Sequence, residues 1–183
     1  MIVLEFEKDF DEIVKAINDH KLVILPTDTV FGVVCKSKDK IYDFKKRDLS
    51  KKLIYFCSDV EQTNVKDKLF IELANRFWPG KLTLVYNKES YRIPNNPYLL
   101  KISKICGKIY SSSANISNFD PYKNWEEYYN DSYFNEYNDL VLVKGKTTSE
   151  QGSTIYDLDS NKILREGELS SVLKEFLTNN TKD

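Results

Sequence analysis

The sequence predicts an α/β fold with a mixed sheet, because short apolar runs alternate along the chain with longer segments of helical periodicity. Leu22–Leu25 is a run of four apolar residues that ends at a proline, which is typical of a short buried strand. Residues 9–19 instead carry apolar side chains three or four positions apart, which indicates an amphipathic helix. Near the C-terminus, two strand-like runs on either side of residues 159–161 predict a hairpin.

The segment after the first strand is predicted to continue as strand, helix and strand. A polar turn at residues 27–29 separates the first strand from a second apolar run at residues 30–35. Residues 39–47 again have apolar positions at helical spacing, and residues 53–57 form a further short apolar run. This pattern adds two strands and one helix.

The middle of the chain continues the same alternation. Residues 65–77 have helical periodicity and stop before the Pro-Gly pair at residues 79–80, after which residues 82–86 form a short apolar run. Residues 97–106 predict another helix, with Gly107 as its C-terminal cap. We therefore expect helix, strand and helix here.

The last third of the chain is predicted to consist mainly of strands. These are expected at residues 108–112, 140–143, 154–158 and 162–164. Residues 118–139 show the weakest pattern and are interpreted as a mobile flap over one edge of the sheet, with a short helix at residues 124–129. Residues 168–177 predict a terminal helix.

Length and composition indicate one globular domain. We expect it to span residues 1–178 of the 183, followed by a frayed tail at residues 179–183. Hydrophobic residues make up 41% of the sequence and aromatic residues 13%, which excludes a disordered chain. No apolar stretch is long enough to cross a membrane, and the N-terminus lacks a signal-peptide pattern. The expected location is the cytoplasm, without membrane contact.

Cysteine and histidine usage argues against a metal centre. Cys35, Cys57 and Cys106 show no C-x-x-C spacing and are interpreted as small buried hydrophobic residues in a reducing compartment. His20 is the only histidine and lies between a predicted helix and a predicted strand. A zinc site and a Ser-His-Asp triad are therefore both poorly supported.

The charge distribution is balanced overall but uneven locally. The net charge of −1 argues against a global electrostatic attraction to nucleic acid. Residues 36–52, however, contain eight basic residues and only three acidic ones. This patch suits binding of phosphates or RNA, or it is a solvated helix face, which is the more common reason for such a pattern.

Arginine is scarce in this chain, where lysine is the usual cation. Among 27 basic residues only four are arginine: Arg47, Arg76, Arg92 and Arg165. All except Arg76 lie in short polar segments, which suggests a requirement for a planar guanidinium on a phosphate or carboxylate. The sequence therefore favours a pocket for a small anion, with surface ion pairs as the alternative.

Two polar segments in the first half of the chain are candidates for such a pocket. The turn at residues 27–29 can offer several hydrogen bonds to a small ligand, although Asp and Thr also stabilise ordinary turns. Lys45 and Arg47 follow at a predicted helix end, where paired cations suit a nucleoside triphosphate. By itself this spacing is not specific, because lysine-rich helices are common.

Two further segments lie in the second half. Residues 111–115 end an apolar strand with small polar side chains, and ligands of open α/β folds bind at such strand ends; an irregular sheet edge is the alternative. Hairpin geometry predicts that Ser153 and Arg165 lie together on one wall.

Taken together, these segments resemble the YrdC-like threonylcarbamoyl-AMP synthase family, in its single-domain branch. Seven motifs of the family occur here in the family's order, between residues 22 and 167. They are P-T-D-T-V-F-G at 26–32, K-x-R at 45–47, W-P-G-x-L-T at 78–83, R-x-P at 92–94, S-x-A-N-x-S at 112–117, G-S-T at 152–154 and L-R-x-G at 164–167. Each motif alone is weak, but their combination is specific.

The resemblance implies an L-threonylcarbamoyladenylate synthase, a nucleotidyltransferase that forms threonylcarbamoyl-AMP and pyrophosphate from L-threonine, bicarbonate and ATP. Downstream tRNA threonylcarbamoyl-transferase proteins would use the adenylate to modify adenosine 37 of tRNA, and weak tRNA binding is a further implication. The implied fold is a twisted mixed sheet with flanking helices around a deep cleft.

The resemblance also implies roles for individual residues. Lys45 and Arg47 would be catalytic, and Mg²⁺ would be carried with ATP rather than held by a protein metal cage. The implied ATP-binding residues are Lys45, Arg47, Thr83, Ser113, Asn115 and Arg165. The implied threonine-binding residues are Thr29, Arg92 and Ser153.

The chain departs from the family pattern at four positions near the expected cleft. Asp48 and Lys52 replace prolines, Asn118 replaces a glycine, and Phe31 replaces a common tyrosine. The glycine of the G-S-T segment is also two residues closer to the serine than usual. These changes concern substrate affinity more than the fold.

Two other functions remain open at this point. One is a non-catalytic module of the same fold that binds tRNA or double-stranded RNA through the basic patch at residues 36–52. The other is a carbamoyl-transfer module of hydrogenase-maturation proteins, which are longer and carry zinc-finger cysteines that this chain lacks.

Overall fold

The computed structural model describes residues 1–147, 149 and 151–180. Within these residues the strands form a single sheet of ten, in the order β1-β8-β2-β3-β7-β4-β6-β5-β9-β10. The strands are β1 (Ile2–Leu4), β2 (Leu22–Leu25), β3 (Gly32–Cys35), β4 (Ile54–Phe56), β5 (Leu82–Tyr86), β6 (Glu89–Arg92), β7 (Ile109–Ser113), β8 (Leu140–Val143), β9 (Thr154–Asp157) and β10 (Lys162–Arg165).

The sheet is mixed, and the predicted α/β class is confirmed. Parallel pairs are β1–β8, β2–β8, β4–β6 and β5–β9, and the remaining neighbours are antiparallel. The helices are α1 (Phe10–Asn18), α2 (Lys38–Lys45), α3 (Lys68–Phe77), α4 (Pro97–Cys106), α5 (Trp125–Asn130), α6 (Ser132–Asn135) and α7 (Ser170–Asn180), with a 3₁₀ turn at Glu61–Thr63. In the described part of the chain, none of them has the length and apolar character needed to span a membrane.

Most predicted elements are present within a few residues of their expected bounds, but β1, β6 and the short helix α6 were missed. β1 is only three residues long and its Ile2 is half exposed, so its apolar signal is short. β6 has a mainly polar sequence because Ser90 and Arg92 line a cleft. A two-residue turn, Asn87-Lys88, joins β5 to β6, and both residues have positive φ, as hairpins of this length favour.

The expectation of a mobile flap at residues 118–139 is not borne out. This segment carries α5 and α6, whose side chains Tyr128 and Phe134 are fully buried. The ring of Tyr128 contacts that of Phe31, with centroids 5.1 Å apart. Aromatic residues at irregular spacing therefore anchor a segment that shows little periodicity in the sequence.

The C-terminal boundary differs slightly from the prediction. Helix α7 extends to Asn180, so the first two residues of the expected frayed tail belong to a helix. Residues 181–183 of that predicted tail lie outside the described residues. The extent of the domain, residues 1–178, stays a prediction.

The two faces of the central sheet differ in polarity. Ser90, Ile54 and Ser111 are register neighbours on β6, β4 and β7, and all three line the same cleft. The adjacent residue of each strand is a tyrosine and therefore points to the opposite face. This alternation places two serines and an isoleucine on the cleft face and the larger tyrosine rings on the opposite face, which leaves room for a ligand.

Candidate functional site

A cleft with a volume of about 610 Å³ is lined from seven strands and their connecting loops. Clefts of this size accommodate small-molecule ligands. It is lined by seven of the nine site residues that the sequence indicated: Thr29, Arg47, Arg92, Ser113, Asn115, Ser153 and Arg165. Residues separated by more than 130 positions thus meet in one site.

Arg92 lies at the end of β6 and is almost fully buried, with 3% of its surface exposed. Its Nη2 donates to Oδ1 of Asp28 at 2.5 Å and its Nη1 donates to Oγ1 of Thr29 at 3.1 Å. Its Nε donates to the carbonyl of Gly80 at 2.9 Å. Burial lowers the pKa of Arg92, while the charge of Asp28 opposes that shift. The guanidinium is therefore held in one plane.

Asp28 is a site residue that the sequence analysis did not identify. One carboxylate oxygen pairs with Arg92, and the other accepts from the backbone N–H of Asn95 at 2.9 Å. The sequence predicts only that the turn at residues 27–29 makes hydrogen bonds to its own backbone or to a ligand. A scarce arginine and an acidic turn residue were both visible in the sequence, but their pairing depends on the sheet.

Lys45 is buried beneath the cleft rather than exposed to it, which differs from its expected role as a cleft residue. Its Nζ donates to the backbone carbonyls of Ser113 and Asn115, and lies 3.2 Å from Oδ1 of Asn115. Burial, and secondly the charge of Arg47, lowers the pKa of Lys45 to about 7. In this structure Lys45 supports the loop after β7.

Asn115 continues this support to the rim of the cleft. Its Nδ2 donates to the carbonyls of Ile116 and Phe119, while its Oδ1 faces Lys45. Asn118 has a φ of 74°, so it adopts the left-handed conformation that a glycine would otherwise provide. The turn after β7 is thus fixed by side-chain hydrogen bonds from below.

Arg47 follows the end of α2 and lines the cleft. Lys46 ends the helix in the left-handed conformation, with a φ of 47°, which separates the directions of Lys45 and Arg47. Arg47 donates to the carbonyls of Lys51 and Lys52 at 3.1 and 3.0 Å, and burial lowers its pKa. Its guanidinium therefore lies at a fixed position beside the loop.

Ser153 and Arg165 meet on one wall, as the predicted hairpin required. Arg165 donates through Nε to the carbonyl of Ser153 at 2.8 Å and through Nη2 to its Oγ at 3.0 Å. Thr83, from β5, lies 2.7 Å from the same Oγ but is fully buried and does not line the cleft. Thr83 therefore orients Ser153 from behind.

The cleft is electropositive where its arginines converge. Partial desolvation lowers the pKa of Arg165, and the positive charges of Arg92 and Arg47 lower it further. The carboxylate of Asp159 also lines the cleft but accepts from the backbone N–H groups of Asn87 and Lys88. Among residues 1–147, 149 and 151–180, no three acidic, cysteine or histidine side chains are grouped to hold a metal ion.

Comparisons with known proteins agree with this geometry. Residues 15–167 match the model of the Sua5/YciO/YrdC family, which is described as "Telomere recombination". An uncharacterized protein of Mycoplasma pneumoniae is 35% identical over 153 residues, which cover 83% of this chain and 34% of that protein. This chain thus spans about a third of the length of that relative.

A second relative, the putative threonylcarbamoyl-AMP synthase of Methanocaldococcus jannaschii, is 29% identical over 187 residues, covering 90% of this chain and 86% of that protein. Among solved structures, P. abyssi Sua5 complexed with L-threonine has a TM-score of 0.80 and 25% identity, covering 95% of this chain and 60% of the other. The matched residues include every motif that forms the cleft. The chain belongs to the Sua5/YciO/YrdC family.

Proposed function

We propose that this chain is an L-threonylcarbamoyladenylate synthase, which forms threonylcarbamoyl-AMP and pyrophosphate from L-threonine, bicarbonate and ATP. The observation that carries the proposal is the convergence of Arg47, Arg92 and Arg165 on one cleft with hydroxyl side chains between them. Relatives named threonylcarbamoyl-AMP synthase and a structural neighbour complexed with L-threonine support it.

The proposed chemistry requires charge neutralisation rather than a covalent nucleophile. The amine of threonine combines with bicarbonate to give a carbamate and water. A carbamate oxygen then attacks the α-phosphorus of ATP, and the bond to pyrophosphate breaks. Arg47 and Arg165 would face the phosphates together with Ser113 and Asn115.

Thr29, Arg92 and Ser153 would bind threonine, with Ser153 next to Arg165 where the two ligands meet. Asp28, Thr29 and Gly80 use three of the five N–H groups of Arg92, which leaves two for a ligand carboxylate. Asp28 would then hold the guanidinium plane while the remaining donors bind the amino acid. In this proposal Lys45 and Thr83 support the site from beneath.

The cofactor and partners belong to the same proposal. Since no three acidic, cysteine or histidine side chains of the described residues are grouped to hold a metal ion, Mg²⁺ would enter with the phosphates of ATP. The product would pass to proteins that transfer the threonylcarbamoyl group to adenosine 37 of tRNA, in the cytoplasm. Weak tRNA contact would accompany that transfer.

The direct test is to incubate the protein with ATP, Mg²⁺, bicarbonate and L-threonine, and to measure pyrophosphate and threonylcarbamoyl-AMP. We expect release that requires both threonine and bicarbonate. Omission of each substrate is the control. Pyrophosphate release without threonine, or none at all, would contradict the proposal; RNA binding that weakens with salt but without turnover would instead favour the RNA-binding module.

A further inference from the structure

Phe119 and Leu164 are large apolar side chains that are exposed although they line the cleft. Phe119 is 70% exposed and Leu164 is 58% exposed. Single exposed apolar residues are common on protein surfaces, but these two border a cleft into which three arginines and several hydroxyl groups also project. Their position calls for a ligand with both an anionic part and an apolar part.

The position of Phe119 is fixed by its backbone. Its N–H donates to the carbonyl of Ile116 at 3.1 Å, and its own carbonyl accepts from Asn115. Asn118, with positive φ, turns the chain immediately before it. Lys45 in turn contacts the Asn115 carboxamide. The buried ammonium therefore helps to hold the Phe119 ring in place.

Leu164 is presented from the other side by an irregularity in β10. The register of the β9–β10 pair shifts between Ile163 and Arg165, so Leu164 is the extra residue of a bulge. Consecutive residues of a regular strand point to opposite faces, whereas here Leu164 and Arg165 both line the cleft. The bulge thus places an apolar side chain beside a cationic one.

We propose that Phe119 stacks against the adenine base of ATP and that Leu164 contacts the nucleoside from β10. This inference rests on the proposed function, because it assigns the base of the same nucleotide. The arginines attract the phosphates, and an exposed aromatic ring adds a surface on which the flat base can stack. Phe119 would therefore be a binding residue outside the seven motifs.

The test compares binding of MgATP with binding of inorganic tripolyphosphate, which carries the phosphates but no base. Calorimetry would be performed on wild type, Phe119→Ala, Phe119→Trp and Leu164→Ala. We expect Phe119→Ala to weaken ATP binding on the order of tenfold and to leave tripolyphosphate binding unchanged. Phe119→Trp should retain ATP affinity, and Leu164→Ala should show a smaller loss confined to ATP.

The matched control is Tyr129→Ala, which removes an aromatic side chain of 49% exposure that does not line the cleft. It should bind both ligands as wild type does. Wild-type ATP affinity in Phe119→Ala, or an equal loss for both ligands, would overturn the stacking assignment. Leu164→Ala provides the same comparison if Phe119→Ala does not fold.

Pyrophosphate release by the same wild-type preparation separates this inference from the proposed function. If wild type turns over and Phe119→Ala binds ATP normally, only the stacking assignment is wrong. If ATP binding depends on Phe119 but no threonine-dependent release occurs, the base contact stands and the synthase assignment is wrong. If wild type does not bind ATP, both are wrong.

Discussion

At the residue scale, Arg92 shows how a predicted role changes once its surroundings are known. The family resemblance implied that its guanidinium binds the threonine carboxylate, but Asp28 already pairs with it in a nearly dry site. Removing one partner of such a pair leaves an uncompensated buried charge, which costs about 3–5 kcal/mol. The ion pair therefore fixes the position of the guanidinium. A substitution that removes either partner should also lower the free energy of unfolding.

Arg92→Lys tests the threonine role while retaining the charge. A lysine ammonium cannot reach Asp28, Thr29 and Gly80 in one plane and also bind a ligand carboxylate, so the threonine concentration for half-saturation should rise at least several-fold. The ATP requirement should change little. Threonine and ATP are titrated separately against pyrophosphate release, after a thermal melt shows that the variant is folded. An equal loss for both substrates would exclude a specific threonine contact.

Arg165→Ala should lower turnover about ten- to a hundredfold, because a charge-assisted contact of about 1.5–3 kcal/mol with the phosphates is lost. The matched control is Arg76→Ala, since Arg76 is the exposed arginine of α3 and does not line the cleft. It should keep wild-type turnover. Steady-state pyrophosphate release measures both, and near-normal rates for folded Arg165→Ala would remove this residue from the mechanism.

The lowered pKa of Lys45 predicts that the free energy of unfolding depends on pH. Its pKa falls from the ordinary 10.5 to about 7 in the folded protein, so between these values the unfolded chain binds more protons. Wild type should therefore gain stability relative to Lys45→Met as pH rises above about 7, by up to about 1.4 kcal/mol per pH unit. Urea unfolding of both proteins from pH 6 to 9 measures this difference. A difference that does not change with pH would show that Lys45 stays charged.

At the scale of elements, the β9–β10 hairpin and its flanking glycines build one wall of the cleft. A Cβ on Gly152 would lie 2.8 Å from Cζ of Arg165, whereas one on Gly167 would lie 2.8 Å from the backbone nitrogen of Thr154. The first obstacle is the end of a flexible side chain, and the second is main chain held in a sheet. Gly152 therefore leaves space for the Arg165 guanidinium, whereas Gly167 allows close approach to the backbone of β9.

Gly152→Ala and Gly167→Ala should consequently separate activity from stability. We expect Gly167→Ala to lose about 1–3 kcal/mol of unfolding free energy, because the backbone of β9 must move. Gly152→Ala should keep most of its stability but lower turnover by displacing the Arg165 guanidinium. Urea unfolding and pyrophosphate release are measured for both variants. Equal stability losses would show that the Arg165 side chain cannot move aside.

At the scale of the whole molecule, the net charge is close to zero but the positive charges are not evenly distributed. The net charge is −1, yet three of the four arginines line one cleft on the same face of the sheet. A local positive field attracts anions at short range but is screened by salt, with a Debye length of about 10 Å at 0.1 M. Binding of a polyanion should therefore depend on ionic strength much more than binding of a zwitterion.

Raising the salt concentration from about 0.05 to about 0.5 M should accordingly weaken MgATP binding several-fold and alter threonine binding much less. Calorimetric titration of each ligand at both concentrations measures the effect. Arg165→Ala should show a shallower salt dependence for ATP than wild type, since one of the converging charges is gone. A salt dependence as steep for threonine as for ATP would contradict the assignment of the converging positive charges to the phosphates of ATP.

The sequence alone determined the α/β class, the bounds of β2, β5, β8 and α4, and the motifs that form the cleft, because apolar periodicity and short polar segments are local signals. It did not reveal β6, whose residues are polar on the cleft face. Only the tertiary structure decided that Asp28 pairs with Arg92 and that Lys45 lies beneath the site. Those contacts join residues more than 60 positions apart, and strand order and register, which determine such distances, are not encoded in any single segment.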